Sequence, residues 1–533
     1  MTLRELLEKL PESEIHGDAS VSITGLTCDS RTVHPGALFF ALRGSLADGH
    51  RFIKQAVAAG AAAVILEDAS SAPESLPWVK VPDGRAVMGL MAALFNGDPT
   101  ALKPLIGITG TNGKTTTTYL IEAILAAAGL QAAVLGTISY RFGSRTIAAS
   151  HTTPEATELQ RAFKLLGDAG AQAFVMEVSS HALDQKRVDG CHFDVGIFSN
   201  LTRDHLDYHG TMDNYLEAKC RLFTELLRPS VEKPRRRAVI NMDDPCGRKI
   251  AERAACPVIS FGINGNCDVR PTAIELSVNG IRATLMTPVG TFGFTSKLLG
   301  RFNFSNILAA VAAGVALELP LSAIKQGIEQ HSTVPGRMER VENGAGVTCL
   351  VDYAHTGDAL ENVLATLKEI ATGRIITVFG CGGDRDNGKR PIMGKIAATM
   401  SNLAIVTSDN PRTENPLIIL EQVKAGILQQ PHPHTNLPLE GEGTKSSKLA
   451  YKGEGGVIRE YQPKELTDGF TVNGFVVIEN RRDAIRSAVR FAKPGDIILL
   501  AGKGHEDYQI IGTTKYHFDD REEAAAAFTE ITL

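Results

Sequence analysis

The sequence predicts an α/β protein of three domains with parallel-rich sheets. Its 533 residues exceed what a single hydrophobic core ordinarily organises. Short apolar runs alternate with segments of helical periodicity, and this alternation is typical of parallel α/β sheets. Breaks occur at residues 96–99 (NGDP) and 334–336 (VPG). We therefore expect domains at residues 1–98, 99–334 and 335–533.

The elements of the first two domains follow from these apolar runs. The opening segment of residues 1–98 reads as an amphipathic helix, and strands at 36–42 and 61–67 flank a second helix. The central domain starts with a buried strand, PLIGITG, and a long helix, KTTTTYLIEAILAAAGL. Three further buried strands are expected in AQAFVMEVSS, DVGIFSNL and RRAVINMDD.

The third domain repeats the pattern. Its strands are expected in TCLVDYAH, RIITVFGCGG, LAIVTSDNP and DIILLAGKG, and each leads into a polar or glycine-rich loop. Open α/β sheets bind ligands at the carboxyl ends of their strands, so these loops are candidates for chemistry. A polar, Gly- and Lys-rich stretch at about 430–473 lacks apolar periodicity and is predicted to be a surface insertion.

Composition excludes several classes of protein. The net charge of -5 provides no basic face for general nucleic-acid binding. No apolar run reaches membrane-spanning length, and the first residues lack the pattern of a signal peptide. The eight cysteines form no Cys-x-x-Cys pair, so we expect neither a zinc site nor a disulfide framework. We expect a cytoplasmic protein, since free thiols are typical of that reducing compartment.

Residues 110–115 (GTNGKT) lie between a predicted strand and a predicted helix. In that context backbone N–H groups and the helix N-terminus hold phosphates. Lys114 would contact the β- and γ-phosphates, and the hydroxyl of Thr115 would bind Mg²⁺. The common pattern has a glycine where this chain has Ile108. The alternative is a glycine-rich turn with a surface lysine.

Three residues that follow this loop in the sequence are candidates for a metal site. Glu177 ends a buried strand, where a carboxylate suits Mg²⁺, although it could instead cap the next helix. His205 lies in an Asp-rich loop, and lone histidines are more often structural than ligands. Lys219 lies in the next predicted helix and, taken alone, reads as a solvated lysine.

Ten motifs occur in one order along the chain: GTNGKTT, MEVSSHAL, NLTRDHLDYHG, YLEAK, LLGRFNFSNILAA, VPGRMERV, VDYAHT, GCGGDRDNGKRP, TSDNPRTENP and AGKGHEDYQ. The set resembles the Mur ligase family, over nearly the whole chain except the polar insertion. The resemblance implies an N-terminal uridine-nucleotide-binding domain, a central P-loop ATPase domain and a C-terminal Rossmann-like domain that binds an amino acid.

The resemblance also implies a reaction. ATP phosphorylates a carboxylate of UDP-N-acetylmuramoyl-L-alanyl-D-glutamate, and the amine of an amino acid attacks the acyl phosphate. Thr115, Glu177 and His205 would hold Mg²⁺, together with Lys219 as a CO₂-derived carbamate (N6-carboxylysine). Lys114, Glu177, His205 and Lys219 would form the catalytic set.

The remaining implied contacts fall into two groups. The ATP contacts are Gly110, Thr111, Asn112, Gly113, Lys114, Thr115, Thr116, Asn306, Arg337 and Asp352. The contacts to UDP-MurNAc-dipeptide are Ser30, Thr152, Thr153, Ser179, Gln185 and Arg187. Residues 152–154 also read as a helix start with proline in the first turn.

The acceptor amino acid is implied by the run DNPR. In the family this motif resembles members that add meso-diaminopimelate, whose distal carboxylate suits an arginine fork. The implied contacts are Arg385, Asp409, Asn410, Pro411, Arg412, Gly502 and Glu506. The alternative for Arg412 is a loop salt bridge with Glu414.

Competing functions remain open at this point. They are an L-lysine-adding Mur ligase, a ligase like folylpolyglutamate synthetase, a P-loop NTPase that couples hydrolysis to movement, and a non-catalytic scaffold. We expect a monomer whose partners are small molecules, namely ATP, the UDP-sugar dipeptide and meso-diaminopimelate. We expect no nucleic acid and no membrane span.

Overall fold

A computed structural model describes residues 1–8, 10, 13–44, 47–149, 151–231, 233–331, 333–428, 450–453, 456–463 and 473–532. Most of the predicted insertion at 430–473 therefore lies outside the described residues. The chain separates into two compact units. The first comprises residues 1–273, 283–294 and 305–331, and the second comprises 274–282, 295–304 and 332–533. The bounds of the three predicted domains stay a prediction.

The N-terminal part contains a five-stranded sheet of order β1-β5-β4-β3-β2, parallel except for β1. Its strands are β1 Glu14–His16, β2 Gly25–Thr27, β3 Ala37–Ala41, β4 Ala63–Leu66 and β5 Trp78–Lys80. Its helices are α1 Leu3–Leu7, α2 Ile53–Ala58 and α3 Gly84–Phe95, with short 3₁₀ turns at Gly49–Phe52 and Ala69–Ser71. The opening amphipathic helix is confirmed, but it is only five residues long.

An eight-stranded sheet follows, with order β13-β12-β11-β6-β10-β7-β8-β9. Its strands are β6 Leu105–Thr109, β7 Ala132–Leu135, β8 Ser139–Phe142, β9 Arg145–Ala148, β10 Ala173–Glu177, β11 Val195–Phe198, β12 Arg237–Asn241 and β13 Val258–Phe261. Every residue of β6 and β10 is buried, as expected of central parallel strands covered on both faces. The carboxyl ends of β6, β10 and β11 therefore meet at one edge.

The helices of this region are α4 Lys114–Ala127, α5 Ala156–Asp168, α6 Ser180–Asp184, α7 Leu206–His209, α8 Met212–Arg221 and α9 Pro245–Arg253. A π-helical turn at Leu222–Leu226 continues α8. Beyond it lie a three-stranded sheet of β14 Arg270–Ser277, β15 Gly280–Thr287 and β16 Gly290–Ser296, and the helices α10 Gly300–Ala316 and α11 Leu321–Gln330.

The last part of the chain is built on a second eight-stranded sheet, of order β17-β18-β24-β19-β20-β23-β22-β21. Its strands are β17 Glu339–Val341, β18 Thr348–Asp352, β19 Ile375–Phe379, β20 Leu403–Val406, β21 Ala450–Gly453, β22 Gly456–Glu460, β23 Gly474–Val477 and β24 Ile497–Ala501. The four strands predicted here are confirmed as β18, β19, β20 and β24, which pair in parallel.

Its helices are α12 Gly357–Ile370, α13 Lys389–Met400, α14 Pro416–Leu428, α15 Arg481–Phe491 and α16 Asp520–Thr532. A hairpin of β25 Tyr508–Ile511 and β26 Thr514–His517 follows β24. Because β20 and β24 both pair in parallel with β19, the segments that follow them leave the sheet at the same edge. Among the described residues, each helix is too short or too polar to span a bilayer.

Candidate active site

The phosphate loop leaves β6 and enters α4, as the sequence predicts. Gly113 caps α4 with a left-handed φ of 86°, which favours glycine. A Cβ at Gly113 would lie 2.2 Å from the side-chain oxygen of Asn306, so the absent side chain lets Asn306 approach the loop. The predicted ATP contact at Asn306 is thus brought to the predicted loop.

Two residues that the sequence did not single out hold the loop from the neighbouring strand. The backbone N–H of Asn112 donates to Oδ1 of Asn200 at 2.9 Å, and Oγ of Ser199 donates to the carbonyl of Asn112 at 2.7 Å. In the sequence, only the polar run SNL after β11 could have indicated these two residues. The parallel pairing of β6 with β11 shows that this run lies beside the phosphate loop.

The Lys114 side chain folds back over this loop. Its Nζ donates to the carbonyls of Gly110 at 2.9 Å and Thr111 at 2.8 Å. These acceptors are neutral, so they orient the ammonium without cancelling its charge. The alternative of a surface lysine on a glycine-rich turn does not describe this geometry.

Glu177 is a buried carboxylate at the end of β10, 1% exposed. Its Oε1 accepts from the Thr115 hydroxyl at 3.0 Å and from the backbone of Thr137 at 2.9 Å. Ser179, not Glu177, caps α6, because its hydroxyl accepts from the N–H of Ala182. The helix-cap alternative for Glu177 is therefore wrong. A hydroxyl and a carboxylate in contact form a hard oxygen donor set that fits Mg²⁺.

Lys219 is buried in α8 at 1% exposure, so the expectation of a solvated lysine is wrong. Its Nζ lies 4.5 Å from the centroid of the Tyr215 ring. Within the described part of the chain, no carboxylate or hydroxyl pairs with that nitrogen. Burial lowers the pKa of Lys219 well below its usual value, the neighbouring Lys114 lowers it further, and Asp204 opposes the shift. The side chain is thereby favoured as a neutral amine.

His205 precedes α7 with a left-handed φ of 53°. Its Nε2 lies 3.4 Å from Oδ2 of Asp204, and its ring meets that of His181 edge to face at 4.9 Å. Burial lowers the pKa of His205, Asp204 opposes the shift, and Lys114 and Lys219 add to it. Burial, with His205 and His209, lowers the pKa of His181 to about 4. The charges of Lys114 and Asp204 therefore act on the pKa of both His205 and Lys219.

The predicted metal ligands include only two residues of the His, Cys, Asp and Glu types. Among the described residues, no group of three or more such side chains is positioned to hold a metal ion. The contact of Thr115 with Glu177 is the part of the predicted ligand set that the structure brings together directly.

Four of the predicted dipeptide contacts form one hydrogen-bonded group. Oγ1 of Thr153 accepts from the N–H of Ser179 at 3.0 Å. Arg187 donates to the carbonyl of Thr153 at 2.9 Å and to Oε1 of Gln185 at 2.7 Å. The group lies beside Glu177, since the Thr153 hydroxyl donates to its carbonyl at 2.8 Å.

The other two predicted dipeptide contacts are placed differently. Oγ1 of Thr152 lies 3.1 Å from Oγ1 of Thr137, which also donates to the Glu177 carboxylate. Helix α5 begins only at Ala156, so residues 152–154 do not start it. Ser30 follows β2 in the N-terminal sheet, where its hydroxyl donates to Gln55 at 3.1 Å.

In the second compact unit, Asp352 ends β18. Its carboxylate accepts from the N–H groups of Met338 and Ala354, both at 2.8 Å. Burial raises the pKa of Asp352, and Arg337 opposes the shift. The guanidinium of Arg337 lies 5.2 Å from the Tyr353 ring centroid. The two predicted ATP contacts of this unit therefore interact with each other.

Arg412 lies in the loop after β20 with a left-handed φ of 52°. Its Nη1 donates to the carbonyl of Gly383 at 2.7 Å. Glu414 instead accepts two bonds of 2.9 Å from Arg390, which is fully buried. The alternative of an Arg412–Glu414 salt bridge is therefore wrong. Arg385 lies on the same glycine turn and is exposed.

The remaining predicted acceptor contacts are interlocked. Nδ2 of Asn410 donates to Oε2 of Glu506 at 2.9 Å. A Cβ at Gly502, whose φ is 115°, would lie 3.4 Å from Oδ2 of Asp409. Lys503, which the sequence did not single out, lies 3.2 Å from Oδ1 of Asp409. Its only signal was its position in AGKGHE.

Three family models match the chain. Residues 22–96 match the Mur ligase catalytic domain, 108–314 the Mur ligase middle domain, and 336–438 the Mur ligase glutamate ligase domain. A relative from Geobacter metallireducens, named UDP-N-acetylmuramoyl-L-alanyl-D-glutamate--2,6-diaminopimelate ligase, is 58% identical over 100% of this chain and 99% of its own length.

The chain belongs to the Mur ligase family.

A second relative of that printed name, from Geobacillus thermodenitrificans, is 43% identical over 99% of this chain and 100% of its own length. A solved structure of that name has a TM-score of 0.69 and 33% identity, covering 100% of this chain and 99% of the other. MurF from Acinetobacter baumannii, at 19% identity, covers 94% of this chain and 95% of its own with a TM-score of 0.58, and shares the fold. The predicted α/β fold class and the predicted Mur ligase membership are both confirmed.

Proposed function

We propose that this Mur ligase adds meso-2,6-diaminopimelate to UDP-N-acetylmuramoyl-L-alanyl-D-glutamate at the expense of ATP, in cytoplasmic peptidoglycan precursor synthesis. The observation that carries the proposal is end-to-end similarity, at 58% identity, to an enzyme named for that reaction. The loop after β20 supports it. Glu414 is paired with Arg390, and the Arg412 guanidinium donates to the neutral carbonyl of Gly383.

The reaction proceeds in two steps. The D-glutamyl carboxylate attacks the γ-phosphorus of ATP, giving ADP and an acyl phosphate. The amine of diaminopimelate then attacks the acyl carbon, and the tetrahedral intermediate expels phosphate to leave an amide. A carboxylate is a poor electrophile until one of its oxygens becomes a good leaving group, so phosphorylation must come first.

Lys114 stabilises the first step. Phosphoryl transfer between anions needs cations positioned before the reaction. The carbonyls of Gly110 and Thr111 fix the Lys114 ammonium over the loop without neutralising it. Backbone N–H groups at the start of α4 supply further donors.

Thr115 and Glu177 are the proposed Mg²⁺ ligands of the phosphate site, and His205 contributes to a second position. The ion would neutralise phosphate charge during transfer. The chain's own contribution is orientation, because two donors from Thr137 hold the Glu177 carboxylate towards Thr115. A direct readout is Mg²⁺ binding by calorimetry in the presence of ADP, which Glu177→Gln should weaken.

Lys219 is the proposed site of carbamylation. The neutral amine attacks CO₂, a C–N bond forms, and one proton leaves to solvent, giving an N-carboxylate. This would place a negative charge beside Lys114 and would supply an oxygen ligand for Mg²⁺. Burial supports the proposal, since it lowers the pKa of Lys219 and outweighs the opposing charge of Asp204. A ¹³C carbamate resonance from enzyme equilibrated with ¹³CO₂, absent in Lys219→Ala, is the expected readout.

The domain roles are part of the same proposal. Residues 1–98 bind the uridine nucleotide through Ser30, residues 99–334 bind ATP and the muramoyl dipeptide, and residues 335–533 bind the amino acid. The hydrogen bonds that link Thr153, Ser179, Gln185 and Arg187 support a shared role for these residues in recognising the dipeptide. We propose that the enzyme acts as a monomer.

Phosphate release tests the proposal. Purified enzyme with ATP and UDP-N-acetylmuramoyl-L-alanyl-D-glutamate should release phosphate with meso-diaminopimelate, and far less with L-lysine or with no amino acid. Preference for L-lysine would indicate the lysine-adding reaction. Turnover of ATP alone would indicate an NTPase that couples hydrolysis to movement. Use of a folate in place of the UDP-sugar would indicate a folylpolyglutamate synthetase-like ligase.

A further inference from the structure

Lys503 is a completely buried lysine in the loop after β24. Its Nζ donates to the carbonyl of Tyr508 at 2.6 Å and to Oδ1 of Asn410 at 3.2 Å. It also lies 3.2 Å from Oδ1 of Asp409. Burying an ammonium costs several kcal/mol unless it is paired and hydrogen-bonded. All three of its partners lie in the segments that follow β20 and β24, which carry most of the predicted acceptor contacts.

Two other buried cations among the described residues of this unit each form an ion pair with a carboxylate outside this network, although the charge of Arg481 also acts on Asp409 and Glu506. Arg481 pairs with Asp520 at 2.6 Å, with both side chains fully buried. Arg390 pairs with Glu414 at 2.9 Å. The ammonium of Lys503 lies directly against the Asp409 carboxylate and is linked to that of Glu506 through the Asn410 side chain. Lys503 is therefore the cation bound within the network of Asp409, Asn410 and Glu506.

The Asn410 amide has a fixed orientation in this arrangement. Its Oδ1 accepts from Lys503 and, at 3.0 Å, from the N–H of Ile510. With the oxygen occupied by two donors, its Nδ2 must donate, and it does so to Glu506. Lys503 thus acts on Glu506 through one intervening side chain.

Lys503 also acts on the charge of Glu506. Burial raises the pKa of Glu506 and the neighbouring Asp409 raises it further, whereas Asn410, Lys503 and Arg412 lower it. Without Lys503, two carboxylates would share the pocket with no cation bound to them, and Glu506 would tend to take up a proton. A protonated Glu506 would no longer attract an ammonium group.

We propose, on the basis of the proposed function, that Lys503 is a positioning residue for the acceptor amino acid. It holds Asn410 and Glu506 so that the Glu506 carboxylate, kept ionised, receives an ammonium group of diaminopimelate. Lys503 does not touch the substrate itself.

The test is a double-mutant cycle that combines Lys503→Met with Glu506→Gln. Lys503→Met should raise KM for diaminopimelate by at least about tenfold, with KM for ATP unchanged and kcat reduced much less. If Lys503 acts through Glu506, adding Lys503→Met to Glu506→Gln should raise KM for diaminopimelate no further. A purely structural role would instead multiply the two effects.

Arg374→Met is the matched control. Arg374 pairs with Asp496 at 2.6 Å in the same sheet, but both residues precede their strands and lie at the opposite edge from the loops. This variant should lower Tm and leave KM for diaminopimelate unchanged. Should Lys503→Met not fold, the same cycle is run with Lys503→Arg, which keeps the charge but cannot reproduce the three contacts.

The outcomes separate the inference from the function on which it rests. Non-additive KM values support the positioning role. An unchanged KM in the Lys503 variant, or independent effects in the cycle, overturn it while the wild-type activity stands. A wild-type enzyme that ignores diaminopimelate overturns the proposed function, and this inference with it.

Discussion

The phosphate site and the acceptor loops treat buried charge in opposite ways. At the phosphate site, Lys114 donates to neutral carbonyls, and the buried Lys219 feels the charge of Asp204 without a direct ion pair among the described residues. In the acceptor region, the carboxylates of Glu414 and Asp409 are bound directly by the buried Arg390 and Lys503. The buried lysine of the first region therefore lacks a direct ion pair, whereas these buried cations of the second are paired within the chain.

The strongest test of this contrast is Lys114→Met. If Lys114 serves the transferring phosphoryl group rather than the fold, kcat should fall by at least about 10²-fold, the size typical of removing one transition-state donor. Tm should stay close to that of the wild type, since neither carbonyl partner carries a charge. Phosphate release and thermal unfolding measure the two quantities. A large loss of Tm with retained kcat would contradict the contrast.

Lys219→Ala should also abolish most activity, because no carbamate can form. Short carboxylates such as formate or acetate should restore part of it, since they can enter the space and replace the missing oxygens. Phosphate release with increasing carboxylate concentration is the measurement. An active variant that needs no added carboxylate would remove Lys219 from the mechanism.

In the acceptor loops, Arg412→Ala should raise KM for diaminopimelate by at least tenfold, on the order of the ~1.5–3 kcal/mol of a charge-assisted hydrogen bond. KM for ATP should not change. Initial rates at varied diaminopimelate concentration provide the test, and unchanged kinetics would refute the role of Arg412.

Glu414→Gln is the matched control for that variant. Glu414 is held by Arg390 and not by Arg412, so its loss should lower Tm. KM for diaminopimelate should change by less than about threefold, as expected for a residue outside the contact network of the substrate. A shift as large as that of Arg412→Ala would restore the salt-bridge interpretation.

The smallest expected effect is a change in the pH dependence of Tm. It arises from buried neutral histidines, which occur in both regions. Burial is the main reason that the pKa values of His181, His331 and His505 fall from 6.5 to about 4. Between pH 4 and pH 6.5 the unfolded chain binds more protons than the folded chain. The contribution of these histidines to the free energy of unfolding should therefore be fully present above about pH 6.5 and decline towards pH 4. Tm measured across this range should show the decline. His331→Gln should make it shallower, whereas the exposed His34→Gln should not.

Much of the fold was predictable from the sequence because its signals are local. Buried runs such as LIGIT and IITVF are β strands, and a glycine-rich loop between a strand and a helix is likewise recognised from neighbouring residues alone. The short first helix shows the limit of such signals. Its apolar pattern continues beyond Leu7, but helical periodicity does not fix where a helix ends.

The sequence by itself determined the fold class, the phosphate loop and the order of the family motifs, because each depends on neighbours in the chain. Only the tertiary structure decided which charges are paired. In the folded chain Lys219 is buried, and Glu414 forms its ion pair with Arg390. Lys503 contacts Asp409 and Asn410, which lie more than ninety residues away in the sequence. Burial and ion pairing depend on which loops meet at a sheet edge, and spacing along the chain does not carry that information.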